Sequence, residues 1–158
     1  MNTSFNINRP VNSDWAMKLN IDDYPVVVSQ KVAWGDMDAY AHVNNAVYFR
    51  YFETGRMVYF ERVGILSYRD ETNIGPILAS TSCDFLAPLT YPDDIKILTR
   101  INEIKEKRFN IQSVIYSETL DKIVAQGNGM IVYYDYTRNI TCHIPARISR
   151  SINKLECA

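Results

Sequence analysis

One long amphipathic helix, followed almost entirely by strand-like segments, limits the folds open to this chain. Over residues 46–63 apolar side chains recur three and four positions apart, so they share one helix face. Asn44 or Asn45 can cap the first turn, leaving the other amide side chain for a ligand or water, and Gly64 is a natural stop. Gly55 costs a helix about 1 kcal/mol relative to Ala, which predicts close packing against a sheet. The apolar positions are Val47, Tyr48, Tyr51, Phe52, Val58, Tyr59 and Val63.

The other regular segments predict an antiparallel sheet. A first strand is expected to run from residue 26 to Gly35, and a short helix near residues 67–73 precedes the later strands. Short turns at residues 92–94 and 119–121 favour antiparallel neighbours across each of them. The predicted class is α+β, with the sheet covering one side of the long helix. Later strands are expected at residues 77–85, 95–104, 109–117 and 123–134.

Length and composition predict one globular domain. The chain has 158 residues, of which 47% are hydrophobic, enough for a core without disulfides or a metal. We interpret residues 1–24 as a polar N-terminal arm and residues 25–158 as a single domain. A net charge of -1 argues against nucleic acid or an anionic membrane as a partner. Three scattered cysteines and no signal-peptide or membrane-spanning apolar run favour a cytoplasmic protein.

Residues 34–45 bring a carboxylate, an imidazole and two amides to the start of the helix, where backbone N–H groups carry partial positive charge. This arrangement suits acyl chemistry. Asp38 is the candidate nucleophile or general base, and its alternative is a turn residue that binds its own backbone. His42 either contacts water or substrate or only holds the loop. Asp36 is expected to form the turn.

Competing kinds of site find little support in the sequence. His143 and the three cysteines have no metal-ligand spacing, so we predict no metal site. There is no Gly-x-Ser-x-Gly elbow, and no glycine-rich phosphate loop precedes the helix. Gly127, Asn128 and Gly129 predict a bulge, either for close approach to a ligand or only for sheet curvature.

Three consecutive motifs resemble a known family: Asp36-Met37-Asp38, His42-Val43-Asn44-Asn45 and Tyr48-Phe49-Arg50-Tyr51-Phe52-Glu53. Over roughly residues 26–144 the chain resembles the hotdog-fold acyl-CoA thioesterases of the 4-hydroxybenzoyl-CoA thioesterase type. The resemblance implies a curved antiparallel β-sheet wrapped around one long central α-helix. It implies that Asp38 is the catalytic carboxylate and that the Asn45 backbone N–H polarises the thioester carbonyl.

The same resemblance implies partners and further site residues. The substrate would be an acyl-CoA or an acyl carrier protein thioester, without a cofactor, and a homodimer or homotetramer would hold active sites at its subunit interface. In a related branch a helix carboxylate is catalytic, which makes Glu53 a second-rank candidate, although two nearby arginines favour an ion network instead. Family members bind the CoA phosphates with basic residues at a strand turn. The basic cluster here is Lys105, Lys107 and Arg108, with a solvated hairpin tip as the alternative.

The predicted function is hydrolysis of a thioester to a free carboxylic acid and CoA, with Asp38 as nucleophile or general base. One alternative is a non-catalytic acyl-CoA-binding or regulatory hotdog protein. Another is a hotdog hydratase that uses Asp38 and His42 as an acid and base pair, although that family places the pair in a different sequence context.

Overall fold

The computed structural model of the protein describes residues 20–158, so most of the predicted N-terminal arm lies outside the described residues. Near its start, Ile21–Asp23 form a short 3₁₀ turn. The strands and helices that follow are β1 (Val26–Lys31), α1 (Asn45–Arg62), α2 (Ile65–Thr72), β2 (Ile74–Phe85), β3 (Asp94–Ile104), β4 (Arg108–Ser117), β5 (Lys122–Asp135), β6 (Ile140–Thr141) and α3 (Ala146–Glu156).

The strands form one antiparallel sheet in the order β1-β3-β4-β5-β2, with the short β6 paired to β5. α1 packs against β3, where Gly55 lies directly over the strand. A Cβ at Gly55 would lie 2.3 Å from Thr99 Oγ1 and 2.9 Å from Ile97 Cγ2, so only glycine lets the helix come this close. The α+β class and the sheet around one long helix are therefore confirmed.

Local signals define both ends of α1. The Asn44 side chain accepts a hydrogen bond from the Ala46 N–H at 2.9 Å, which makes Asn44 the cap. After the helix, Gly64 takes the left-handed conformation, with φ of 76°, that ends many helices. The face of α1 that includes Tyr51 and Tyr59 is buried in the core, as its apolar spacing predicts.

Three details of the predicted sheet are wrong. β1 ends at Lys31, and Trp34–Asp36 form a 3₁₀ turn because the Asp36 carboxylate accepts the Ala33 N–H at 3.1 Å. β2 and β3 are not neighbours. The segment between them crosses the fold through Leu89, which is fully buried and accepts the Val43 N–H at 2.8 Å.

The third difference concerns the glycines of β5. Gly127 and Gly129 pair in regular register with both β2 and β4, so there is no bulge at this point. A Cβ at Gly127 would lie 2.4 Å from the Phe52 ring, and this crowding explains the glycine. The register shifts fall instead between Leu78 and Ser80 in β2, between Ile101 and Glu103 in β3, and between Ile123 and Ala125 in β5.

The C-terminal helix α3 is absent from the sequence prediction. Ile148 and Ile152 are fully buried against the end of α1 and Leu155 is partly buried beside them, while most other residues of the helix are polar. The Glu156 carboxylate then accepts hydrogen bonds from the Tyr59 hydroxyl at 2.5 Å and the Ile101 N–H at 2.7 Å. α3 therefore closes the core beside the C-terminal half of α1.

Candidate active site at the start of the long helix

The loop before α1 folds back on itself. Met37 and Val43 form an isolated antiparallel bridge, and beyond it the Asp38 N–H donates to the His42 carbonyl at 2.8 Å. Ala41 takes a positive φ of 59°, which lets the chain reverse between them. Asp38 and His42 consequently lie opposite each other, immediately before the helix.

The Asp38 carboxylate is half-buried, and only one of its two oxygens accepts a hydrogen bond from the described residues. Its Oδ1 accepts the Tyr40 N–H at 2.8 Å, so the Asx turn considered as an alternative role is present. Within residues 20–158 its Oδ2 accepts no hydrogen bond. One oxygen thus fixes the loop, while the other is available to a ligand or water. His42 is exposed, and its ring makes no hydrogen bond to another described residue.

The first residue of α1 presents an unused donor. The Asn44 N–H donates to the Asp36 carbonyl at 2.9 Å, and the Asn44 side chain caps the helix. The Asn45 N–H meets no acceptor in the described part of the chain, as expected for the first turn of a helix. An exposed helix N-terminus with a free amide attracts negative charge. It can therefore bind an oxygen that becomes anionic.

Asp36 anchors this loop to the helix. Its Oδ2 accepts a hydrogen bond from the Tyr51 hydroxyl at 2.8 Å, in addition to the Ala33 N–H. Burial, with a further contribution from the Asp36 carboxylate, raises the pKa of Tyr51 well above its usual value, so the phenol stays protonated and donates. The apolar spacing of α1 indicates only a core role for Tyr51, since nothing in the local pattern indicates this long-range hydrogen bond.

A cleft runs between α1 and the edge strand β2. We call it the α1–β2 cleft. It encloses about 250 Å³, and Glu53 lies on its wall with 62% of the side chain exposed. Arg56 is far more buried, with 14% of its side chain exposed, and its Nη2 lies 3.8 Å from Glu53 Oε1. Glu53 therefore pairs with Arg56, one of the two arginines of the predicted ion network, and nothing in the described residues brings it to Asp38. The residues that line the cleft are Phe49, Arg50, Glu53, Arg56, Leu78 and Thr81.

The basic cluster forms an exposed hairpin tip between β3 and β4. Lys105 pairs with Glu103 at 3.1 Å, and the Lys105 N–H donates to the Arg108 carbonyl at 2.8 Å. β1 pairs with the start of β3 at Lys31 and Asp94 and leads directly into the Asp38 loop, whereas Lys105, Lys107 and Arg108 follow the end of β3. The 11 residues of β3 separate these positions by about 30 Å along the strand. One chain therefore does not bring its own basic tip to its own Asp38.

Neither a metal cluster nor a membrane-spanning helix is found where the structure describes the chain. No group of three His, Cys, Asp or Glu side chains within residues 20–158 could hold a metal ion. None of the helices in that range is long and apolar enough to cross a bilayer. Cys83, Cys142 and Cys157 are all free thiols. Burial raises the pKa of Cys83 to about 12, which keeps it in the unreactive thiol form.

Comparisons with known proteins agree with this architecture. The chloroplastic acyl-acyl carrier protein thioesterase ATL2 of Arabidopsis thaliana is 26% identical over 132 residues, covering 82% of this chain and 69% of that protein. A thioesterase from Thermus thermophilus, solved with coenzyme A and Zn, has a TM-score of 0.77 at 24% identity and covers 87% of this chain and 98% of its own. The Staphylococcus aureus protein SAV2348, solved with CoA, has a TM-score of 0.78 at 15% identity, with 84% of each chain covered.

These structural similarities confirm the hotdog fold. A family model extends the agreement to the sequence, since it matches residues 32–152 and so spans the Asp38 loop, strands β2 to β6 and most of α3. By that match the chain belongs to the thioesterase-like superfamily.

Proposed function

We propose that this protein is an acyl-CoA thioesterase of the 4-hydroxybenzoyl-CoA thioesterase type. The observation that carries the proposal is that two groups near the start of α1 are available to a ligand. They are one oxygen of the Asp38 carboxylate and the backbone N–H of Asn45, neither of which has a hydrogen-bond partner among the described residues. Membership of the thioesterase-like superfamily supports the same reaction. The substrate is an acyl-CoA or an acyl carrier protein thioester.

In this mechanism the thioester carbonyl oxygen binds at the Asn45 N–H, and the helix N-terminus stabilises the charge that develops on it. Asp38 then acts in one of two ways. As a general base, it takes a proton from water while the water oxygen bonds to the carbonyl carbon. As a nucleophile, it bonds to that carbon and forms a mixed anhydride that water later cleaves. In both routes the C–S bond breaks, and the sulfur leaves as a thiolate and takes up a proton.

The surrounding residues take supporting roles. His42, opposite Asp38 and exposed, orients water or the substrate. The Tyr51 and Asp36 bond holds the loop on the helix, so the free Asp38 oxygen keeps one position. Glu53 stays a second-rank candidate for the catalytic carboxylate.

The proposed active site includes residues of a second subunit. β2 is a 12-residue edge strand that pairs with β5 on one side, and no described strand covers its other side. A long edge whose one charged residue is Asp84 favours strand pairing between copies. Because the basic tip is remote from Asp38 in its own chain, Lys105, Lys107 and Arg108 of one subunit bind the CoA phosphates at the partner's site. The active unit is thus a homodimer or homotetramer.

The direct test is thiol release from a panel of aliphatic and aromatic acyl-CoAs. We expect turnover of at least one member of the panel, and rapid-quench mass spectrometry separates the two routes by the presence or absence of an acyl group on the Asp38 peptide. Ligand-induced thermal stabilisation without turnover of any thioester would instead favour a non-catalytic acyl-CoA-binding protein. Hydration of an enoyl-CoA in place of hydrolysis would contradict the proposal.

A further inference from the structure

The side chain of Arg56 is largely buried, although few nearby groups compensate its positive charge. Its side chain is only 14% exposed, yet the one ion pair that it makes within residues 20–158, to Glu53, spans 3.8 Å, and the Glu53 side chain is mostly in solvent. No described residue accepts a hydrogen bond from the guanidinium. Guanidinium carries five N–H donors and stays charged in proteins, so this position leaves most donors available. Burial also lowers the pKa of Arg56, which reflects the cost of removing the cation from water.

In a single chain the α1–β2 cleft gives a ligand access to this guanidinium, and in the proposed dimer the partner subunit paired to β2 would border the same cleft. Phe49 and Leu78 form its apolar part, and each is more than one-third exposed. The charged side chains on the cleft wall are Arg50, Glu53 and Arg56, two cations and one anion, which leaves a net charge of +1. A cleft that is apolar on one side and cationic on the other suits an elongated apolar group with an anion at its far end.

The cleft is also aligned with the candidate reaction centre. Asn45, Phe49, Glu53 and Arg56 follow one another at spacings of three and four residues, so they lie along one side of α1. Asn45 and Arg56 are 11 residues apart, a rise of about 16 Å along the helix. Helical side chains tilt toward the N-terminus, which brings the guanidinium nearer to Asn45 than this rise. An acyl chain bound at the Asn45 N–H can therefore extend toward Arg56.

The inner end of the cleft is closed. Beyond Arg56 lies a pocket of about 10 Å³, which holds no more than one water molecule. The Phe52 ring covers Gly127 on this side of the sheet, and a Cβ at Gly127 would collide with it. An extended acyl chain therefore ends at Arg56. The residues that line this inner pocket are Phe52, Arg56, Thr81, Ile111, Ser113, Gly127, Asn128 and Gly129.

From this geometry we infer that the enzyme prefers acyl groups that carry a second carboxylate at the end distant from the thioester, and that Arg56 is the residue that binds it. A carboxylate matches the planar fork of guanidinium with two parallel hydrogen bonds. It also supplies the negative charge that the exposed Glu53 provides only weakly. The inference deepens the proposed thioesterase function and rests on it.

The test compares dicarboxylic mono-CoA thioesters of increasing length with monocarboxylic thioesters of the same carbon number. At the preferred length, kcat/KM is expected to be about 10- to 100-fold higher for the dicarboxylic substrate, the range of a charge-assisted hydrogen bond. Arg56→Met should remove this preference, while Arg56→Lys should keep part of it. Arg150→Met, an exposed arginine on α3, is the matched control and should leave both substrates unchanged.

Binding is measured separately with nonhydrolysable thioether analogues of the same pairs. Tighter binding of the dicarboxylic analogue to wild type, lost in Arg56→Met, supports the inference even if turnover is slow. Equal kcat/KM for paired substrates with normal turnover would overturn the inference and leave the thioesterase proposal intact. An equal loss for both substrates in Arg56→Met, with a change of oligomeric state by sedimentation, would also overturn it. That result would assign Arg56 to a carboxylate of the partner subunit.

Discussion

Replacing Gly55 with alanine should reverse the usual effect of this substitution. In an exposed helix interior, Gly→Ala stabilises by about 1 kcal/mol. Here the new Cβ would lie 2.3 Å from Thr99 Oγ1 and 2.9 Å from Ile97 Cγ2, although ordinary contacts begin at 3.4 Å. Thr99 and Ile97 are both fully buried, so neither can turn away. α1 would have to move about 1 Å from the sheet, an overpacking that costs typically 1–3 kcal/mol.

We therefore expect Gly55→Ala to lower the free energy of unfolding by about 2 kcal/mol, or Tm by about 4–8 °C for a domain of this size. Urea denaturation and thermal melts measure both quantities. Gly35→Ala is the matched control, because a Cβ at Gly35 meets no atom within 4 Å, and its stability should stay within about 0.5 kcal/mol of wild type. Equal or greater stability of Gly55→Ala would refute the close contact between α1 and β3.

Two further predictions concern the loop anchor and the thiols. Tyr51→Phe removes the hydroxyl that donates to Asp36 and leaves a half-buried carboxylate oxygen with one partner fewer, so unfolding should become easier by about 1–3 kcal/mol. Tyr91→Phe, at an exposed tyrosine, should change stability by less than about 0.5 kcal/mol, and equal effects of both variants in urea melts would contradict the anchor. Peptide mapping after timed alkylation should show exposed Cys157 modified well before half-buried Cys83, because burial raises the pKa of Cys83 to about 12. Early modification of Cys83 would contradict its burial.

Features encoded by neighbouring residues were predictable from the sequence. The cap at Asn44, the stop at Gly64 and the periodic face of α1 each depend on a few adjacent positions. Local sequence does not predict α3, because its two buried isoleucines are separated by polar residues that resemble a solvated tail. The position of β2 beside β5 was missed because a short connection resembles a hairpin, and only the long-range burial of Leu89 reveals a crossover.

In the candidate site, too, only the features encoded by neighbouring residues were predictable from the sequence. The sequence places Asp38, His42 and Asn45 together because one short loop contains them, and the bridge between Met37 and Val43 follows from that loop. It cannot reveal that Arg56 is buried, since burial depends on the distant strands β2 and β5 that close over it. The distance between the basic tip and Asp38 is likewise a property of strand direction, which no local pattern specifies.

The most direct test of the proposed function is the activity of Asp38→Asn. Asparagine keeps an oxygen that can accept the Tyr40 N–H, so the 2.8 Å hydrogen bond of the turn is preserved while the negative charge is lost. If Asp38 is the nucleophile or general base, kcat on the best acyl-CoA should fall by about 10³-fold or more, with Tm close to wild type. Undiminished kcat in a folded Asp38→Asn variant would reduce Asp38 to a turn residue and contradict the proposed mechanism.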